Sequence, residues 1–176
     1  KRRYGINYEE YSISILHPVT TNLTNIKKEA KLYFESLKIS KKNYIITYPN
    51  NDLGSNYIMN EIKKLKKFKN FKIIPSLRFE FFLTLLRNSS FIIGNSSSGV
   101  RESLVYGIQS INLGNRQRNR IKSKFITNVE FKEKRIIDEL RKEKKIMKKG
   151  VFNFGKGNSA KMFIKILKTR KFWKTD

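Results

Sequence analysis

The chain has no cysteine and only one histidine in 176 residues. Without cysteine there is no disulfide and no thiolate metal site, and a lone histidine cannot build a histidine-based metal cluster. Neither a metal nor a cofactor is therefore expected. No apolar run approaches the ~18 residues of a membrane span, and no secretory leader is recognisable. These absences fit a cytoplasmic protein without a membrane partner. Acidic residues are also few, 14 against 39 Lys and Arg, which leaves a formal net charge of +25. Such an excess usually suggests nucleic acid or an anionic surface. Here the lysines are scattered over every segment beside abundant Ile and Asn, residues that share A/T-rich codons. No basic face with interleaved stacking aromatics stands out, so nucleic acid is not the expected partner.

What is present is enough for a folded domain. Hydrophobic residues make up 39% of the chain, with 13 Phe and 8 Tyr, and the length suits one domain with a sizeable core. The chain opens with Lys1-Arg2-Arg3-Tyr4, without Met, as expected of a sequence that starts midway through something larger.

One stretch organises the rest, from Phe91 to Arg120. Phe91-Ile92-Ile93 reads as a short buried strand. Gly94-Asn95-Ser96-Ser97-Ser98-Gly99 reads as a tight, hydroxyl-rich turn, and Val100 to Tyr106 as a helix closed by Gly107. A strand, a Gly/Ser turn and a helix form a cradle in which amides, hydroxyls and the helix dipole favour an anion. A second turn, Gly114-Asn115-Arg116-Gln117-Arg118, adds guanidinium groups after the next strand. The plainer reading is an ordinary βα turn with Ser at the N-cap, since GNSSSG is neither a Walker A loop nor a GxGxxG fingerprint.

Around this centre the alternation is regular. Strands are expected at 11–16, 44–48, 71–74, 91–93, 110–113 and 125–129. Helices are expected from Thr24 or Asn25 to Leu37, then over 56–67, 79–86, 100–106, 130–148 and 159–168. Six strands alternating with six helices predict an α/β fold, a parallel sheet covered on both faces. The loops 18–22, 49–55, 75–78, 94–99 and 114–120 should then share one rim, where ligands bind.

Several residues on that rim carry chemistry, each with a blander alternative. His17, before Pro18, could donate to a phosphate or sit as a satisfied surface imidazole. Asn50 and Asp52 could be Asx-turn formers. Glu102 could favour the helix dipole or bind two sugar hydroxyls. Arg116, Arg118 and Arg120 could be solvated, yet Arg116 follows a strand-ending turn, where a guanidinium can clamp a pyrophosphate.

Six ordered motifs point further: HPVT at 17–20, YPNNDLGS at 48–55, PSLRFEFFLTLLRNS at 75–89, IGNSSSGVRE at 93–102, NLGNRQRNR at 112–120 and FGKGNSAK at 154–161. Together they resemble the hydrolysing nucleotide-sugar 2-epimerases, enzymes of sialic and legionaminic acid supply. The resemblance spans roughly residues 11–168 and implies a Rossmann-like three-layer domain, the carboxyl-terminal half of a GT-B-type two-domain fold. By that resemblance His17, Asn50, Ser96, Ser97, Glu102 and Arg116 hold the nucleotide diphosphate. Ser96, Ser97 and Arg116 meet the phosphates and Glu102 the ribose, while the backbone of Ile74 meets the base. The His-Pro-Val-Thr form points to the hydrolysing branch. The family's substrate is a UDP-sugar, or a GDP-sugar, released as the free 2-epimer plus nucleotide diphosphate. Its proton-moving carboxylates belong to the amino-terminal domain, so no catalytic residue is expected in this chain beyond supporting roles for His17 and Arg116. That domain and a second copy of the chain are the expected protein partners. Asn56 and Ile73 stand where animal relatives carry Lys and His, so the feedback-inhibitor site of those relatives is not expected. A non-hydrolysing epimerase half, a GT-B glycosyltransferase half and a polyanion-binding module are the alternatives.

Overall fold

Short β-branched runs flanked by turn residues form strands, and the segments between them wind into helices with one apolar stripe. The computed structural model describes residues 2–21, 23–142, 150–152, 154–155 and 157–174. In chain order the elements are β1 (Ser12–Ile15), α1 (Ile26–Ser40), β2 (Tyr44–Thr47), α2 (Ser55–Leu65), β3 (Phe71–Ile74), α3 (Phe79–Arg87), β4 (Ile92–Gly94), α4 (Glu102–Val105), β5 (Ser110–Leu113), β6 (Ile126–Val129), α5 (Glu133–Arg141) and α6 (Ser159–Leu167). The six strands form one sheet in the order β3-β2-β1-β4-β5-β6, and every pair is parallel. The expected α/β, Rossmann-like arrangement is therefore the one observed.

Both faces of the sheet are covered, so β1 (SISI) and β5 (SINL) are buried at every position although their polar and apolar residues alternate. On one face Ile46, Ile93, Ile111 and Leu113 pack with Tyr33, Phe34, Leu37, Ile58, Ile62, Ile136 and Leu140, side chains of α1, α2 and α5. On the other face Ile13, Ile15, Ile45 and Ile92 pack with Phe82, Leu85 and Leu86 of α3 and with Ile108. Four polar strand residues are buried in the sheet, Ser12 and Ser14 of β1 and Ser110 and Asn112 of β5. Ser14 is fully buried, and its hydroxyl lies 2.7 Å from Tyr33 Oη, which also donates to the Ile93 carbonyl. The Tyr33 phenol is pushed well up by burial. The three groups satisfy one another across β1, α1 and β4.

Three segments differ from the sequence expectation. Helix α1 runs past Leu37 to Ser40 because Lys41 adopts a left-handed conformation at φ 56°, a helix-ending role that glycine usually fills. The expected helix over 100–106 is a 3₁₀ turn, Ser97–Gly99, followed by the single turn of α4. The charged helix expected over 130–148 starts at Glu133, and residues 143–149 lie outside the described residues. The last helix, α6, forms where expected, but none of its residues is buried. Met162, Phe163 and Ile164 are each more than half exposed.

Within the sheet the backbone packs closely at Gly94, which ends β4 beside Ile15 of β1. Its φ is +135°, and a Cβ there would lie 1.8 Å from the Ile15 carbonyl oxygen. Both strain and collision oppose any side chain. Gly94→Ala should lower the free energy of unfolding by more than about 3 kcal/mol, read by urea denaturation.

Candidate functional site

A parallel sheet gathers the loops after its strands on one rim, and a crevice opens where the strand order reverses, here between β1 and β4. A buried side chain closes the base of that crevice. Asn95, directly after β4, is 1% exposed. Its Oδ1 accepts the His17 backbone N–H at 2.7 Å, and its Nδ2 donates to the His17 carbonyl at 2.8 Å. Its own N–H donates to the Ile15 carbonyl at 3.1 Å. Its carbonyl accepts from Arg116 Nη1 at 3.1 Å and from Gln117 Nε2 at 3.2 Å. Through one residue the loops after β1, β4 and β5 are held at fixed spacing.

The serine turn is more closed than a phosphate cradle made of free amides. The Ser98 N–H is 3.3 Å from Ser96 Oγ, and the N–H groups of Gly99, Val100 and Arg101 go to the carbonyls of Ser96 and Ser97. The helix that follows is one turn long, so its dipole contributes little. What the turn offers instead is hydroxyls. Ser96 Oγ accepts from Ser98 Oγ at 2.9 Å, so its own O–H is left to donate. Ser96 and Ser97 are both half-buried and line a groove of about 360 Å³ with Ile15, His17, Tyr48, Pro75, Leu77, Phe79 and Glu102.

Arg116 lines a neighbouring hollow of about 420 Å³ with Pro18, Thr20, Asp52 and Asn115. Burial draws the Arg116 guanidinium below its ordinary value, Asp52 opposes the shift and Arg120 adds to it. Even so shifted, a guanidinium keeps its charge near neutral pH. Its Asn95 bond engages a single N–H donor, leaving others of the fork for a ligand.

His17 is oriented by its neighbour on the β2 loop. Its Nδ1 lies 3.1 Å from both the backbone N–H and the side-chain Oδ1 of Asn50. A neutral ring that accepts the N–H at Nδ1 carries its proton on Nε2. Burial, and secondarily Arg116, lowers the His17 pKa below its ordinary 6.5, opposed by the Asn50 hydrogen bond and by Asp52.

The rim therefore brings together His17, Ser96, Ser97 and Glu102 in one groove, with Arg116 beside it and Asn50 against the imidazole. Ile74 is placed differently. Its side chain is buried in the core, and the residues after it, Pro75 to Leu77, face the groove. Asn95 and Gln117 were not singled out by their residue types. A turn asparagine reads as exposed, and Gln117 sits between two arginines, yet both are buried. The arrangement puts cationic and hydroxyl donors beside a carboxylate and an apolar wall. That combination suits a phosphorylated, hydroxyl-bearing ligand with a flat ring.

A family signature described as UDP-N-acetylglucosamine 2-epimerase matches residues 1–168. The chain belongs to the UDP-N-acetylglucosamine 2-epimerase family. It is 44% identical over 140 residues to the UDP-N-acetylglucosamine 2-epimerase of Neisseria meningitidis serogroup B, covering 80% of this chain and 37% of that one. It is 31% identical over 126 residues to the Campylobacter jejuni GDP/UDP-N,N'-diacetylbacillosamine 2-epimerase (hydrolyzing), covering 70% and 33%. The fold is similar to that of the Methanocaldococcus jannaschii UDP-GlcNAc 2-epimerase, a structure solved in complex with UDP-GlcNAc and UDP. The TM-score is 0.71 at 21% identity, over 94% of this chain and 47% of that chain. The chain thus spans about a third of these two curated epimerases and about half of the solved one. Among the described residues no helix is long and apolar enough to cross a membrane, and no cluster of three or more His, Asp or Glu could hold a metal.

Two outcomes follow from this geometry. Asn95→Ala leaves the His17 N–H and carbonyl without their buried partners and should cost about 1–3 kcal/mol of stability in urea unfolding. His17, the only histidine, gives one imidazole NMR signal, whose midpoint should fall below 6.5. Since the unfolded chain then binds the proton more readily, the His17 contribution is intact above pH 6.5. It is lost as pH falls from there through the folded midpoint. His17→Gln should flatten that part of the stability profile between pH 7.5 and 5.5.

Proposed function

We propose that this chain is the nucleotide-binding half of a hydrolysing 2-epimerase, taking UDP-N-acetylglucosamine or a related UDP- or GDP-linked diacetamido sugar. The observation that carries the reading is the convergence of His17, Ser96, Ser97, Glu102 and Arg116 on the crevice between β1 and β4. Arg116 and the serine hydroxyls meet the two phosphates, His17 adds its Nε2–H, and Glu102 accepts from the ribose hydroxyls. The backbone after β3 offers the base its edge. The hydrolysing assignment is supported by the His17-Pro18-Val19-Thr20 form and by the similarity to the hydrolysing Campylobacter jejuni relative.

In the reaction the C1–oxygen bond breaks, the C2 proton leaves, and water then adds at C1 with a proton returned to C2 from the other face. The groups above stabilise the charge that develops on the departing diphosphate. Proton movement at C2 needs a base within hydrogen-bond reach. On this rim Asp52 is engaged by Asn50, Glu102 is taken by the ribose, and Glu80 is exposed on α3. We therefore assign the proton-moving groups to an amino-terminal domain, the principal partner of this chain, and expect binding without turnover from these residues alone. Assembly with a second copy belongs to the same proposal.

Calorimetric titration of UDP and GDP at low and moderate salt tests the site. One of them should bind saturably with shallow salt dependence, whereas a general polyanion surface would show a steep one. Ser97→Ala and Arg116→Ala should each weaken binding by about 1–3 kcal/mol, roughly 5- to 150-fold. If both variants match the parent, the site lies elsewhere. Supplying the amino-terminal half and assaying for free 2-epimer separates the hydrolysing reaction from simple epimerisation.

A further inference from the structure

His17 can act in two protonation states, and Asn50 serves both. The Asn50 backbone N–H lies 3.1 Å from Nδ1 and suits the neutral ring, while the Asn50 Oδ1, at the same distance, suits the imidazolium, which must donate from Nδ1. The second arrangement requires the oxygen end of the amide to face the ring. The other end of that amide decides the matter, because Asn50 Nδ2 donates to Asp52 Oδ2. An ionised carboxylate only accepts, so it holds the NH₂ group and leaves the carbonyl oxygen toward His17. We propose that Asp52 is a positioning residue for His17: by holding the Asn50 amide in one orientation, it keeps an acceptor facing Nδ1 so that the ring can take up a second proton.

The charges around His17 give that proton a use. Burial, and secondarily Arg116 on the β5 loop, disfavours the charged ring in the free protein. Asp52, on the β2 loop, acts in the opposite sense, and Glu102 lines the same groove from α4. An incoming diphosphate offsets Arg116 and adds negative charge beside the ring. The imidazolium then donates from both nitrogens, to Asn50 and to the ligand. This last step rests on the diphosphate reading above; the positioning role itself does not.

The single imidazole makes the test direct. Its NMR midpoint is measured in the parent, in Asp52→Ala and in Asp52→Asn, without ligand and with saturating UDP. Asp52→Ala removes the acceptor that holds the amide and should lower the ligand-free midpoint by about half a pH unit or more. Asp52→Asn keeps an acceptor oxygen without the charge and should restore at least half of that loss. Equal midpoints in all three proteins would overturn the proposal. A midpoint in Asp52→Asn as low as in Asp52→Ala would also overturn it, since charge at a distance would then explain the effect. If the ligand-free order appears as expected but UDP does not bind the parent, the positioning role stands and the diphosphate reading fails. If UDP binds, the midpoint should rise in the parent and rise less in Asp52→Ala.

Discussion

The paired hydrogen bonds between the Asn95 side chain and the His17 backbone are the constraint on which the rim depends. A buried amide must find partners for both ends, and Asn95 finds them on one residue of the neighbouring loop. That requirement locks the loops after β1 and β4 together at the point where the strand order reverses. The Asn95 carbonyl then accepts from Arg116 and Gln117 and brings in the loop after β5. Remove the amide and the loop after β1 loses its side-chain tie to the loop after β4, while the backbone bonds to the β5 loop remain. The functional side chains sit on irregular backbone, and this network gives that backbone the rigidity of the sheet beneath it.

The charge of the molecule looks different once the elements are placed. Part of the lysine excess is spent on ordinary helix chemistry. Lys38, Lys64 and Lys142 pair with Glu35, Glu61 and Glu139 three residues earlier, and Lys38, Lys63 and Arg87 lie in last turns, where cations oppose the helix dipole. Glu61 and Glu139 are themselves buried, so their lysines answer a local need. The rim works by geometry rather than by net charge, with one half-buried guanidinium, one imidazole and two serine hydroxyls placed around a carboxylate.

Much of this was legible in the residues. The strand runs are short, apolar and bounded by turns, so their number and parallel pairing followed from periodicity and spacing alone. Parallel pairing in turn places every strand-ending loop on one rim, which is why the sequence alone groups His17, Ser96 and Arg116. What was hidden depends on tertiary context. Nothing local to Lys41 announces a left-handed backbone, because the α1 carboxyl end has no glycine. Apolar spacing at Val100, Leu104 and Val105 predicted a longer helix, but the intraturn hydrogen bonds of the serine run use up its first turn. Asn95 turns inward because the sheet beneath it needs a polar closure, which no neighbour in sequence reveals. The helix over 159–168 follows from its apolar spacing, but that spacing alone does not say whether the apolar residues are buried, since burial needs an opposing surface.

The parallel seam between β1 and β4 has a consequence for how the molecule is made. The neighbours β1-β2-β3 and β4-β5-β6 each join strands separated by one connection, so each half can assemble from comparatively near contacts. The seam joins Ile13 to Ile92 and Ile15 to Gly94, partners far apart in the chain, so its pairing carries the larger loop-closure cost. The crevice lies across that seam, with groups contributed from both sides. It therefore does not exist in either half alone, only where the two are paired. A ligand that bridges the seam favours the closed sheet over the separated halves, so occupancy and completion of the fold share one equilibrium.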